Sequence, residues 1–169
     1  MRRLISILAA GVLAAGTVLT TAGAASAGAA AARQPSCTFD GNFFFDVTVR
    51  GVNYFPGTPN SASSGSTVRL KPSTNRTTSW GFCQFSDGSF LVTNSGLAMT
   101  SRATSPGANV TVETAGNGGN GFTSQHWILA DSTTFQNVRT GLFLRIRNTG
   151  PIMGQTLTTG SSATAWTFP

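Results

Sequence analysis

Phenylalanine, a glycine six residues on, and then apolar residues in alternate positions recur three times at a constant spacing of 45 residues. The copies begin at Phe45, Phe90 and Phe135 and carry Gly51, Gly96 and Gly141. A tryptophan closes each: Trp80, Trp127 and Trp166. A fixed period of this size marks copies of one supersecondary unit that must stack to bury a shared core. Phe45, Phe90, Phe135 and the three tryptophans are therefore expected to be core. Repetition at symmetric positions is what barrel packing needs, and it outweighs a reading of the tryptophans as exposed sugar-stacking platforms.

The unit is built of strands. Charged residues make up 9% of the chain, against the usual quarter, and Ser, Thr, Asn and Gly take their place beside 12 Phe. That composition is poor for helices and good for short strands and turns. No stretch after residue 28 sustains a helical apolar period, whereas alternation recurs at Val68/Leu70, Val110/Val112 and Leu142/Leu144/Ile146. Asp40-Gly41, Asp87-Gly88 and Asp131-Ser132 suit hairpin turns. Pro56–Gly65 and Ala115–Gly121 read as loops. The fold class is all-β. Three four-stranded units around a pseudo-threefold axis close six strands into a barrel with three hairpins over one end, a β-trefoil. Three propeller blades are too few to close a ring, and an immunoglobulin-like sandwich lacks the period.

Residues 1–27 read as a secretory signal peptide: Arg2 and Arg3, an apolar stretch from Leu4 to about Thr20, and Ala25-Ser26-Ala27 as a cleavage site. Residues 28–36 form a flexible N-terminal segment and 37–169 the trefoil domain, in units of about 37–83, 84–130 and 131–169. The protein is expected to be secreted, with no membrane span in the mature chain. Cys37 and Cys83 are then most simply a disulfide, the alternative being two buried thiols. Closing a loop of that length is worth about 4 kcal/mol by the chain-entropy estimate.

Gln125-His126-Trp127 forms a Gln-x-Trp motif, and Leu91-Val-Thr-Asn-Ser-Gly-Leu-Ala-Met99 leads up to it. Thr78-Ser-Trp80 and Thr164-Ala-Trp166 stand in the same register without the glutamine. This pattern resembles the ricin B-type lectin family over about residues 38–169, and the resemblance implies a β-trefoil that recognises carbohydrate. The sequence departs from the family at its sugar-binding residues. The family's aspartate falls on Phe55, Thr100 and Arg145, and the strands that would carry its aromatic platform have no aromatic: Val68-Arg-Leu-Lys, Val110-Thr-Val-Glu and Leu157-Thr-Thr-Gly.

Carbohydrate is the expected partner, through Asn53, Tyr54 and Phe55, where exposed aromatics beside an amide suit a sugar ring and its hydroxyls. Arg145 and Arg147 are candidates for acidic sugars. A secreted trefoil that binds a protein, as an inhibitor or toxin-associated module, is the alternative. Removing Arg2 and Arg3 with the signal leaves 9 basic against 5 acidic side chains, a net charge of +4. The charges are scattered rather than striped, so nucleic acid is not an expected partner. His126 is the sole histidine, no nucleophile elbow is present, and metal binding would need more ligands. No enzyme, cofactor or metal is expected. Asn75-Arg-Thr77 and Asn109-Val-Thr111 match the glycosylation sequon.

Overall fold

A computed structural model describes residues 37–116, 122–147 and 151–168; the expected signal peptide and N-terminal segment lie outside them. The first repeat contributes Thr38–Phe43 (β1), Val47–Val49 (β2), Val52–Gly57 (β3), Ser66–Thr67 (β4), Arg69–Lys71 (β5) and Trp80–Gln84 (β6). The second contributes Phe90–Asn94 (β7), Leu97–Thr100 (β8), Thr111–Thr114 (β9) and His126–Ala130 (β10), with a single helical turn at Phe122–Gln125 (α1). That turn departs from the expectation of a chain without helix. The third contributes Thr134–Asn137 (β11), Phe143–Arg145 (β12) and Thr158–Gly160 (β13).

Six staves close the barrel. Pairing runs from β1 through β6, β7 and β10 to β11, all antiparallel. Trp166 N then donates to Thr133 O at 2.7 Å, and Asp46 and Thr167 exchange both backbone hydrogen bonds at 3.0 and 2.8 Å. The pairs β3–β5, β8–β9 and β12–β13 form the three caps. Where the caps meet, three backbone bonds form a cycle: Val68 N to Val110 O (3.0 Å), Val110 N to Leu157 O (2.8 Å) and Leu157 N to Val68 O (2.9 Å). The side chains of Val68, Val110 and Leu157 are fully buried. A closed barrel leaves no sheet edge to attract other strands. The architecture is the all-β β-trefoil.

All three tryptophans are buried, with Phe45 and Phe135 beside them. Phe45 stands 5.0 Å from Phe135 and 5.4 Å from Trp166, ring centre to ring centre. Phe90 does not belong to this set. Phe90 pairs with Trp127 as Phe43 pairs with Trp80, so its counterpart is Phe43, and Phe90 is only half-buried. The counterpart of Phe45 and Phe135 is Val92, whose neighbour Thr93 faces Gly81 as Gln136 faces Ile128 and Asp46 faces Thr167. The cause lies in the hairpins. Ser95 and Gly96, with φ of 51° and 78°, turn β7 directly into β8, a tight two-residue connection of the type that glycine at φ > 0 permits. In the third repeat four residues, Val138–Gly141, separate β11 from Leu142, whose carbonyl accepts from Asn137 N. Counting back from the glycine therefore lands two residues off in the second repeat.

Two further expectations shift. Asp40-Gly41 is no hairpin turn; it lies within β1, where the register slips between Phe39 and Gly41 and leaves Asp40 as the extra residue of a β-bulge. The residue matching Met99 and Leu144 is Pro56, not Tyr54. Pro56 pairs with Leu70 as Met99 pairs with Val112 and Leu144 with Thr159. Trp80 Nε1 donates to Pro56 O as Trp127 Nε1 donates to Met99 O, both at 2.9 Å.

Candidate carbohydrate site

The structure separates the residues that the sequence grouped. Asn53 is exposed on β3, and its Oδ1 accepts from Thr48 Oγ1 at 2.8 Å. Tyr54 packs against the main core, while Phe55 is half-buried opposite Lys71. Successive residues of a strand face opposite sides of the sheet, so Tyr54 and Phe55 point to different faces. Arg145 lies over Gly160, whose absent Cβ would fall 2.5 Å from its Cδ, and Arg147 donates to Gly107 O at 3.3 Å. Both arginines belong to the third repeat.

The positions of the resembled family's sugar pocket are filled. By register Gly57, rather than Phe55, matches Thr100 and Arg145. A Cβ on Gly57 would meet Thr78 Cγ2 at 2.8 Å and Lys71 Cδ at 2.9 Å. Lys71 Nζ donates to Thr77 Oγ1 at 2.8 Å, which pins the lysine across that space. Its partial burial lowers the ammonium pKa. Thr100 is buried and donates to Ala98 O at 2.9 Å. In the second repeat Glu113, the counterpart of Lys71, is held in an ion pair by Arg102.

A polar groove opens one step away, between the first and second repeats. It has a volume of about 200 Å³ and runs along Thr58–Ala62, facing Arg76, Thr77, Asn94 and Ser95. Its floor is rigid. Asn94 is buried; its Nδ2 donates to Arg76 O (2.9 Å) and Ser79 O (2.7 Å), and its Oδ1 accepts from Thr58 Oγ1 (2.9 Å). Thr58 N donates to Thr77 O at 2.9 Å, and Thr77 N to Asn75 Oδ1 at 2.8 Å. Asn137 repeats the Asn94 device in the third repeat, donating to Ser124 O and His126 O. There the longer turn adds backbone bonds from Val138 N to His126 O and Arg139 N to Thr123 O, occupying the space that the two-residue turn at Ser95-Gly96 leaves open. The groove thus offers hydroxyls, an amide and a guanidinium beside Pro59 and Ala62, the mix that a sugar ring with one apolar face and a hydroxyl rim requires. None of Asn53, Tyr54, Phe55, Arg145 and Arg147 lines it.

Asp87, Ser89 and His126 come together at the start of β7 in a set that superficially suggests nucleophilic catalysis. Ser89 Oγ donates to Asp87 Oδ1 at 2.7 Å and lies 3.4 Å from His126 Nδ1. A nucleophilic serine needs the histidine between itself and the acid; here serine is the middle member, its proton is committed to Asp87, and it is buried. The Ser89 hydroxyl and amide hold the Asp87 carboxyl below its ordinary range. Burial lowers the His126 imidazole, with Asp87 pulling the other way; His126 stacks on Phe85 at 4.2 Å. Among the described residues no cluster of His, Cys, Asp or Glu could hold a metal ion, and no helix is long and apolar enough to cross a membrane. Cys37 and Cys83 form a disulfide that ties β1 to β6.

The fold recurs in solved structures at low identity. An agglutinin from Abrus precatorius is 18% identical with a TM-score of 0.61, matched over 80% of this chain and 51% of that one. A non-toxic homologue of type II RIPs from Momordica charantia (bitter gourd), solved in complex with α-methyl-D-galactoside, is 19% identical with a TM-score of 0.60, over 79% and 48%. The designed three-fold symmetric protein ThreeFoil is 18% identical with a TM-score of 0.60, over 76% and 98%. The chain thus spans about half the length of the two plant proteins. No protein-family model and no curated protein matches the sequence.

Proposed function

We propose that the protein is a secreted, non-catalytic β-trefoil that binds carbohydrate through the groove between its first two repeats. The observation that carries this reading is the prebuilt polar groove of Thr58–Ala62, Arg76, Thr77, Asn94 and Ser95, whose buried asparagine is bonded to two backbone carbonyls and the Thr58 hydroxyl while the rim residues Asn60, Ser61 and Arg76 face solvent. Fixed donors and acceptors around a small volume bind a sugar with little reorganisation. The α-methyl-D-galactoside held by the Momordica charantia protein supports the ligand class, since that protein shares the fold. Export is supported by the N-terminal 1–27 pattern and by the disulfide, which persists in oxidising compartments. The buried, wrongly ordered Asp87–Ser89–His126 set favours a binding rather than a catalytic role.

One shallow groove holds a single sugar weakly, so useful affinity comes from glycans that engage several copies. A glycan array probed with the secreted protein and with Asn60→Ala and Arg76→Ala tests the reading. Binding that both substitutions reduce supports it. Silence across the array from a folded protein overturns it and favours a protein partner.

A further inference from the structure

At the end of the barrel away from the caps, Asp40, Phe43, Phe82, Phe90, Leu129 and Phe168 surround a cavity of about 230 Å³. Its wall follows from the repeat register. Phe82, Leu129 and Phe168 are the residues two beyond each tryptophan, and Phe43 and Phe90 are counterparts on the adjoining staves. The third counterpart is Thr133, whose carbonyl accepts from Trp166 N; a threonine in place of a third phenylalanine leaves the ring of aromatics incomplete. Phe82 meets Phe43, Phe90 and Phe168 edge to face, at 5.6, 6.0 and 6.3 Å. Every lining residue is apolar except Asp40, which the β-bulge in β1 inserts. Bulges commonly re-aim a side chain in this way. Among the described residues the Asp40 carboxylate has neither an ion-pair partner nor a hydrogen bond.

We propose that this cavity binds a small organic cation bearing a quaternary ammonium head, with Asp40 as counter-charge. Asp40 is exposed at the rim of this apolar space, where its negative charge favours a cation over a neutral ligand, and the aromatic rings choose which kind. Ring faces attract cations through their quadrupoles, most effectively when the cation is weakly hydrated. Calcium and magnesium require six or more oxygen ligands or retained waters, which one carboxylate among phenylalanines does not supply. A trimethylammonium group needs no hydrogen-bond acceptors, fits the volume, and places methyl groups against the rings and its charge near Asp40.

Choline and its uncharged carbon isostere, 3,3-dimethylbutan-1-ol, are the probes, titrated into the whole secreted protein while aromatic ring resonances are followed by NMR. The expected result is that choline shifts the rings of Phe43, Phe82, Phe90 and Phe168 and binds about tenfold more tightly than the alcohol. Asp40→Asn should weaken choline binding by a similar factor, and Phe43→Ala, at a residue 37% exposed, should weaken it without unfolding the domain. The wild-type comparison of the two probes needs no variant, so the proposal is tested even if Asp40→Asn misfolds. Equal affinity for the alcohol, unchanged binding by a folded Asp40→Asn protein, or no ring shift at about 50 mM choline overturns it. So does binding to phosphatidylcholine vesicles without binding of free choline.

Discussion

Asp46 and Thr167 hold each other by two reciprocal backbone hydrogen bonds, Asp46 N to Thr167 O at 3.0 Å and Thr167 N to Asp46 O at 2.8 Å, and this pair joins the first stave of the barrel to the last. The Thr167 side chain is exposed, so the residue acts through its backbone. Thr167→Pro removes the donor and leaves the Asp46 carbonyl unmet, so it should destabilise the protein by about 1–3 kcal/mol, whereas Thr167→Ala should stay within about 0.5 kcal/mol. Urea unfolding of the two variants measures the difference directly.

The tryptophans are symmetric in position but not in bonding. Trp127 Nε1 donates to Met99 O at 2.9 Å, whereas the buried Trp166 Nε1 has no acceptor among the described residues. Tryptophan to phenylalanine removes similar volume at both sites. At Trp127 it also leaves a buried carbonyl without its donor; at Trp166 it removes a donor already unsatisfied. An unmet buried polar group costs about 1–3 kcal/mol, so Trp127→Phe should be the more destabilising substitution by at least about 1 kcal/mol. Parallel denaturation curves check this.

The repeat made the fold legible, because three tryptophans and alternating apolar pairs such as Val68/Leu70 and Val110/Val112 answer to one barrel core. Register was harder to read. Phe90 stands the same six residues before its glycine as Phe45 and Phe135 do, yet the turn after Asn94 is two residues shorter, and spacing alone does not show which end of a repeat absorbs a deletion. The paired asparagines Asn94 and Asn137, each donating to backbone just ahead of its tryptophan, are the marks that would have revealed the slip. A second repeat went unread: Gly65, Gly107 and Gly154 each precede Val68, Val110 and Leu157 by three residues. Their amides bond around the same threefold cycle, to Val112 O, Thr159 O and Leu70 O. The groove was invisible for the same reason as the slip, since it exists where the short turn leaves room.

The disulfide packs against the smaller of two core clusters among the described residues. Cys37 and Cys83, 46 residues apart, tie β1 to β6 beside the small cluster of Phe85, Leu91 and Ala98, apart from the main core. Replacing both cysteines by serine should lower stability by about 4 kcal/mol on the chain-entropy estimate. Against a typical domain stability of about 5–15 kcal/mol, that leaves a folded but fragile protein. Thermal unfolding with and without reductant reports the loss.

Acid should weaken the fold in two stages. The His126 pKa is lower in the folded protein than its ordinary 6.5, so the unfolded chain binds the proton more readily. Its contribution is complete above about 6.5 and is lost as pH falls from there toward the folded value. The Asp87 pKa also lies below its ordinary 3.8. Its contribution is complete above that value and is lost as pH falls through the folded pKa. Melting temperature followed from pH 8 to pH 2 (about the span of both groups) should show both declines. His126→Gln should remove the upper one, and Asp87→Asn the lower.

Two sets of surface residues are candidates for the proposed sugar site, and substitutions separate them. Asn60 and Arg76 are exposed on the rim of the groove, where truncation removes hydrogen bonds to ligand without touching the core. Each should lower glycan affinity by about tenfold, the effect of losing one or two hydrogen bonds of about 1 kcal/mol each. Arg145→Ala should leave binding unchanged, since that side chain lies over Gly160 in another repeat. Ser95→Asp adds a carboxylate beside Arg76 at a position already at positive φ, and should discriminate against acidic sugars more than against neutral ones by like-charge repulsion. If Arg145→Ala abolishes binding while Asn60→Ala and Arg76→Ala do not, the sugar sits on the third repeat and the groove is not its site.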